Sequence, residues 1–220
     1  MTKAVRGVSF SVGRGETVMR QSERLGAYRD ALQTLWDAGL LYPCTCNRRD
    51  ILAAANAPQE GTPPLGPDGV IYPGTCRDKP RPAQMPMDTA LRLDMRKAVE
   101  ASVIFEETGA EQRGIITTTL AQFRDDFGDI VLARKDMGTS YHLAVTVDDA
   151  AQGITDVVRG AELFEATPIH VVLQRLLGLP RPKYHHHALI RDDARKRLAK
   201  RDDARAIATY RDDGLGPAAV

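Results

Sequence analysis

Long apolar runs are missing from this 220-residue chain. None approaches the roughly 20 residues that a membrane-spanning helix needs, and the N-terminus lacks the continuous apolar stretch of a secretory signal. With a mean hydropathy of −0.31, these absences predict a soluble, cytoplasmic protein. Cysteine is scarce: there are three, two of them one residue apart, which excludes the dense disulfide framework of a small secreted domain. An excess of one charge is also lacking, since 30 Lys and Arg face 29 Asp and Glu; net charge therefore says nothing about nucleic acid. No internal repeat occurs, and no G-x-x-x-x-G-K-[ST] phosphate loop. No histidine precedes His142. What is present is enough apolar material, 43% of residues, to bury one domain with an insertion.

The chain is organised around residues 129–201. Ile130-Val131-Leu132 reads as a buried strand, Leu143 to Val147 as a second apolar run ending in Asp148-Asp149, and Val157 to Gly160 as a third. Thr167 suits a helix N-cap, Pro168 the first helical position and Gly178 the stop. Between them Ile169, Val172, Leu173, Leu176 and Leu177 make one apolar face. A strand from His187 to Ile190 then leads into the loop Arg191 to Arg205, with seven basic and four acidic residues. Strands alternating with a helix and ending in a charged loop predict a parallel α/β sheet with functional groups at its strand ends. The three consecutive histidines, His185 to His187, cannot all reach one metal ion from a strand, where side chains alternate.

Upstream, Leu25, Tyr28, Leu32, Leu35 and Trp36 predict a core-facing helix from Ser22 that stops at Gly39. Cys44, Cys46 and Cys76 converge in a Pro/Gly-rich stretch with a short helical piece, Asp50 to Ala55. Three thiolates with little apolar support suit a small structural zinc knuckle over 44–76. No histidine lies in that segment, so the fourth ligand would be Tyr72, four residues before Cys76, or water; the alternative is three reduced cysteines with no metal. Residues 77–90 read as a linker and Leu91 to Met95 as a half-buried strand. Val103 to Phe105 and Ile115-Ile116 form short strands around a polar turn, a section without evident chemistry.

Five motifs occur in order: Cys-x-Cys with Tyr-x-x-x-Cys, Phe127-Gly-Asp-Ile-Val-Leu132, Tyr141-His-Leu-Ala-Val-Thr-Val-Asp-Asp149, Val158-Arg-Gly-Ala-Glu-Leu163 and Arg197-Leu-Ala-Lys-Arg201. Together, over about residues 19–217, they resemble the glutamyl-Q tRNA(Asp) synthetase family, paralogues of glutamyl-tRNA synthetase without its anticodon-binding domain. The resemblance implies a class I aminoacyl-tRNA synthetase-like Rossmann catalytic domain. Its implied activity is activation of glutamate with ATP and Mg2+, then transfer to queuosine in the anticodon of tRNA(Asp). Tyr141 and Arg159 would hold glutamate, the latter through a bidentate fork at a strand end. Lys200, with Arg197 at the first basic position, would lie in a KMSKS-type loop on ATP, where fixed positive charge meets the charge developing on pyrophosphate. Ala199 replaces that loop's serine. Asp148 and Asp149 are candidates for ribose or the acceptor nucleoside, or for capping a turn.

Residues 1–18, with a Gly13-Arg14-Gly15 turn, resemble the opening hairpin of an ABC-transporter ATPase and stand where the synthetase family carries its HIGH-type ATP motif. That substitution predicts an N-terminally incomplete, impaired catalytic domain. Two alternatives are a glutamyl-tRNA synthetase core fragment, disfavoured by the end at Val220, and a non-catalytic zinc module that binds RNA or a partner. The expected state is a monomer.

Overall fold

Apolar residues three and four apart make α1 (Leu25–Asp37) in the computed structural model, which describes residues 19–56, 64–135, 138–189, 191 and 207–216. Tyr28, Leu32, Leu35 and Trp36 face the core as expected, but Leu25, at the helix start, is 48% exposed. The helix ends where Gly39 takes φ +74°. Its N–H bonds to Trp36 O and that of Leu40 to Leu35 O, a closure that puts the stop residue in the left-handed region glycine favours.

The remaining elements follow in order: β1 (Leu41–Cys44), α2 (Arg48–Asn56), β2 (Leu65–Gly66), β3 (Gly69–Val70), β4 (Ala90–Leu93), α3 (Met95–Ala98), β5 (Val103–Glu107) and β6 (Gly114–Thr118). Then come α4 (Leu120–Gln122), a π-helical turn (Phe123–Phe127), β7 (Ile130–Ala133), α5 (Tyr141–Ala151), β8 (Asp156–Gly160), α6 (Thr167–Leu176), β9 (Lys183–His187) and α7 (Ile207–Asp212). Strands β1, β4 and β7 form an antiparallel sheet. Strands β6, β5, β9 and β8 form a mixed sheet in which β9 runs parallel to both β5 and β8. The expected parallel arrangement thus holds for three strands, and the rest is antiparallel. Helix α6 packs on β5, and α5 packs on α6, α1 and β7.

Several elements differ from expectation. Leu143 to Val147 is not strand but the middle of α5; Ser140 caps it, its hydroxyl accepting from Leu143 N at 3.4 Å. β-Branched Val145, Thr146 and Val147 imitate a strand in sequence, yet Thr146 donates back to His142 O at 2.8 Å, a helical bond. Strand β9 lies at 183–187, earlier than the expected 187–190; Ile190 and most of the basic loop lie outside the described residues. Helix α6 does end before Gly178 but starts one residue early, on Ala166, and residues 167–174 are all buried rather than on one face. Strand β4 is buried on both sides at Leu91, Arg92 and Leu93 because it is central. Residues 1–18, with their expected hairpin, fall outside the described residues.

Arg77, in the expected linker, is anchored instead. Its Nε donates to Asp129 Oδ2 at 2.6 Å, where Tyr42 OH also donates at 2.5 Å, while Met95 N donates to Oδ1 at 3.0 Å. This buried carboxylate binds the knuckle, β1, α3 and β7 together. Asp148 does the same for α5: it accepts from Arg24 Nε and Tyr28 OH, both at 2.6 Å, which makes it a tether rather than a substrate ligand.

Candidate active site

The knuckle is built as its spacing implies. Cys44, Cys46 and Cys76 bring three sulfurs within 4.8 Å of one another, with Cys46 and Cys76 3.5 Å apart. Tyr72 OH lies 3.4 Å from both Cys44 and Cys46 and accepts from Cys76 N at 2.9 Å. A zinc ion holding sulfur at 2.3 Å and oxygen at 2.0 Å in a tetrahedron needs separations of about 3.8 and about 3.5 Å. The three sulfurs fit such an ion, and the Tyr72 hydroxyl lies near enough to them that it would serve as a fourth ligand. Burial would push the Cys76 thiol up, but hydrogen bonds from Tyr72, the Thr45 backbone and Cys46 outweigh it and bring the thiol down to about 6. A thiolate at neutral pH is the form that binds metal. Burial and the neighbouring cysteine sulfurs push the Tyr72 hydroxyl up, and Arg92 stacks its guanidinium 3.8 Å over the ring in a cation–π contact.

Cys44, Cys46 and Tyr72 also line a cleft of about 770 Å³ whose far wall carries Tyr141, His142 and Glu162. Tyr141, at the first turn of α5, is 49% exposed, and its ring meets those of His142 and His170 at 5.6 and 5.8 Å. Arg159 lies one layer behind. It stands near the carboxyl end of β8, as expected, and its Nη1 donates to His170 Nδ1 at 3.0 Å. His170 in turn meets His142 at 3.0 Å, and His142 meets Asp68 at 3.3 Å in the cleft. Tyr141 and Arg159 thus border the same histidine from two sides.

The protons of this chain can be assigned. Arginine only donates, so His170 Nδ1 carries the lone pair and its Nε2–H donates to His142 Nδ1. His142 Nε2–H then donates to the Asp68 carboxylate. His170 stays neutral: burial, then Arg159 and His142, drive its pKa well below 6.5. On the other side Arg159 Nε donates to His186 Nε2 at 3.0 Å, and His186 Nδ1 meets Glu107 Oε2 at 2.6 Å. Arg159 Nη2 donates to Thr167 Oγ1 at 2.8 Å and Leu163 O at 3.3 Å. These bonds engage four of the five guanidinium N–H groups. The expected fork to a ligand carboxylate has one Nη1 N–H in hand and needs one of these bonds exchanged. Thr167, read as a helix cap, serves Arg159 instead.

Sequence reasoning missed Glu107, His170 and His186. The available signal was position: Glu107, Arg159 and His186 all lie near the carboxyl ends of the three parallel-running strands, where α/β sites form. Lys200 and Arg197 lie outside the described residues.

Comparison with known proteins follows the same line. The family model "tRNA synthetases class I (E and Q), catalytic domain" matches residues 3–220. The chain is 62% identical over 205 residues to a glutamyl-Q tRNA(Asp) synthetase of Rhodobacter capsulatus, covering 92% of this chain and 73% of that protein. A glutamyl-Q tRNA(Asp) synthetase of Geobacter sulfurreducens is 40% identical over 89% of this chain, which spans 57% of its length. Among solved structures, a glutamate-tRNA synthetase from Elizabethkingia anophelis superposes with TM-score 0.60 at 22% identity, covering 83% of this chain and 37% of that one. A glutamate tRNA ligase from Elizabethkingia meningosepticum, in complex with its amino acid, gives 0.62 at 22% identity, covering 86% and 38%. At that identity the match concerns fold alone.

Proposed function

Because the chain belongs to the class I (E and Q) tRNA synthetase catalytic-domain family, we propose that it is a glutamate ligase of the glutamyl-Q tRNA(Asp) synthetase type. The observation that carries this reading is 62% identity across 92% of the chain to such an enzyme. In this reading a glutamate carboxylate oxygen attacks the α-phosphorus of ATP and pyrophosphate leaves; a hydroxyl of queuosine in tRNA(Asp) then attacks the glutamyl carbonyl, the acyl–phosphate bond breaks, and AMP leaves. The protein acts as a monomer in the cytoplasm.

Tyr141, exposed on the cleft wall, offers its hydroxyl to the amino acid. Arg159, fixed behind it, supplies the remaining Nη1 N–H and its positive charge. Lys200 and Arg197 place charge on the phosphates, where it is worth most in the transition state, and Mg2+ accompanies ATP. Zinc at Cys44, Cys46, Tyr72 and Cys76 supplies a structural crosslink to a loop that has little core of its own.

The test is glutamate-dependent exchange of pyrophosphate into ATP without tRNA, followed by transfer of labelled glutamate to tRNA(Asp) with and without queuosine. Exchange with glutamate but not glutamine, and transfer only to queuosine-bearing tRNA, are expected. Folded protein that binds neither glutamate nor ATP contradicts the reading and favours the non-catalytic module. The exchange rate also measures what the chain achieves with no histidine upstream of His142. Lys200→Ala should slow exchange far more than it weakens glutamate binding, and equal effects would remove its transition-state role.

A further inference from the structure

Glu107 is the only buried glutamate among the described residues, 1% exposed at the end of β5. Its Oε1 accepts from Gly109 N at 2.6 Å and His186 N at 2.9 Å, and its Oε2 meets His186 Nδ1 at 2.6 Å. The loop is shaped around this carboxylate: a Cβ on Gly109 would stand 2.3 Å from His186 O and 2.7 Å from Glu107 Oε1. The His186 ring is held by Tyr184, stacked at 6.2 Å and 9°, and by the edge of Phe164 at 5.2 Å. A carboxylate can only accept, so His186 must carry its proton on Nδ1. Its Nε2 is then a lone pair, and Arg159 Nε points at it from 3.0 Å.

We propose that Glu107 is a positioning residue that acts through the His186 tautomer to set the plane of the Arg159 guanidinium for the carboxylate of the amino-acid substrate. This rests on the reading of Arg159 as a glutamate contact. Alignment of a planar fork depends on which way its plane faces, and four acceptors, His186, His170, Thr167 and Leu163 O, determine that here. A neutral amide of the same size does not replace the carboxylate. In Glu107→Gln the side-chain oxygen stays with the two backbone N–H groups, so the amide N–H2 faces His186 Nδ1. That nitrogen must then accept, the proton moves to Nε2, and Nε2–H meets Arg159 Nε–H donor to donor.

The experiment combines 15N spectra of the histidine rings with calorimetric binding of L-glutamate, and of ATP as control. It compares wild type, Glu107→Gln, Glu107→Asp, Arg159→Lys and the Glu107→Gln/Arg159→Lys pair. Expected are a wild-type His186 protonated on Nδ1 and a switch to Nε2 in Glu107→Gln. Glutamate affinity should fall by roughly tenfold or more, as for a mispaired buried donor, with ATP affinity unchanged. Glu107→Asp, which keeps the charge, should retain the tautomer and recover most of the affinity. In the Arg159→Lys background, Glu107→Gln should add nothing. A wild-type His186 protonated on Nε2 overturns the proposal without any variant. So does a loss of glutamate affinity on Glu107→Gln that is equal in the wild-type and Arg159→Lys backgrounds, or no loss at all. If Arg159→Lys binds glutamate like wild type while the tautomer still switches in Glu107→Gln, the Arg159 assignment fails, and this role of Glu107 with it.

Discussion

Two buried histidines and one buried carboxylate around Arg159 share a sign in acid. His170 is held neutral far below 6.5, by burial first and then by Arg159, and His186 is lowered from 6.5 by burial despite Glu107. An unfolded chain takes up these protons as pH drops through about 6.5, so the unfolded state binds more protons than the folded one. The stability they contribute is complete above 6.5 and is lost as pH falls below it. Glu107, held below 4.5 by its bonds to His186 and Gly109 although burial opposes this, keeps its contribution above 4.5 and gives it up below. Melting temperature should therefore fall from pH 7 to pH 5 by an amount corresponding to about 1.4 kcal/mol per pH unit for each fully excluded proton. His170→Gln should flatten the slope. A wild-type profile flat over that range would contradict the neutral assignment.

At the scale of elements, α1 is docked by one carboxylate. Asp148 holds Tyr28, whose hydroxyl is pushed up to about 12 by burial, then by its hydrogen bond to Asp148 and the charge there. Asp148→Ala leaves that hydroxyl buried without an acceptor and Arg24 without its partner. It should cost about 2–3 kcal/mol, read as a lower urea midpoint at unchanged slope; a loss under about 0.5 kcal/mol would mean that α1 docks by its apolar face alone. If zinc occupies the knuckle, Cys76→Ser should release it and lower the melting temperature, whereas unchanged zinc content would exclude the knuckle as its site. The sequence made α1, α6, β7 and β8 legible, because their apolar residues repeat at helical or strand spacing and glycines mark the helix stops. The cysteine set was legible because the chain has only three cysteines, two of them paired as Cys-x-Cys and the third in the same Pro/Gly-rich stretch. Helix α5 was not, since three β-branched residues in a row mimic a strand. Nor was β9, where histidines carry no apolar signal. The Arg159 network joins residues up to 79 apart, a separation that local pattern does not bridge.

For the molecule as a whole, the cysteine knuckle and the sheets are continuous through Asp129, which draws in Tyr42, Arg77 and Met95. Chelation of the metal should first expose amides in 41–46 and 72–77 to hydrogen exchange, while β5, β8 and β9 stay protected; simultaneous loss everywhere would mean one indivisible unit. No helix among the described residues is long and apolar enough to cross a membrane.

The row of rings from Arg159 to Asp68 has a direction. Every proton in it points away from the guanidinium, so His142 meets the cleft with an N–H and no lone pair. Asp68 satisfies that N–H from 3.3 Å. A carboxylate, carbonyl or hydroxyl oxygen entering the cleft can take its place, whereas an ammonium group finds nothing on that ring to bind. A partly buried arginine one layer down thus sets, through two histidine rings, the polarity that the wall presents at His142.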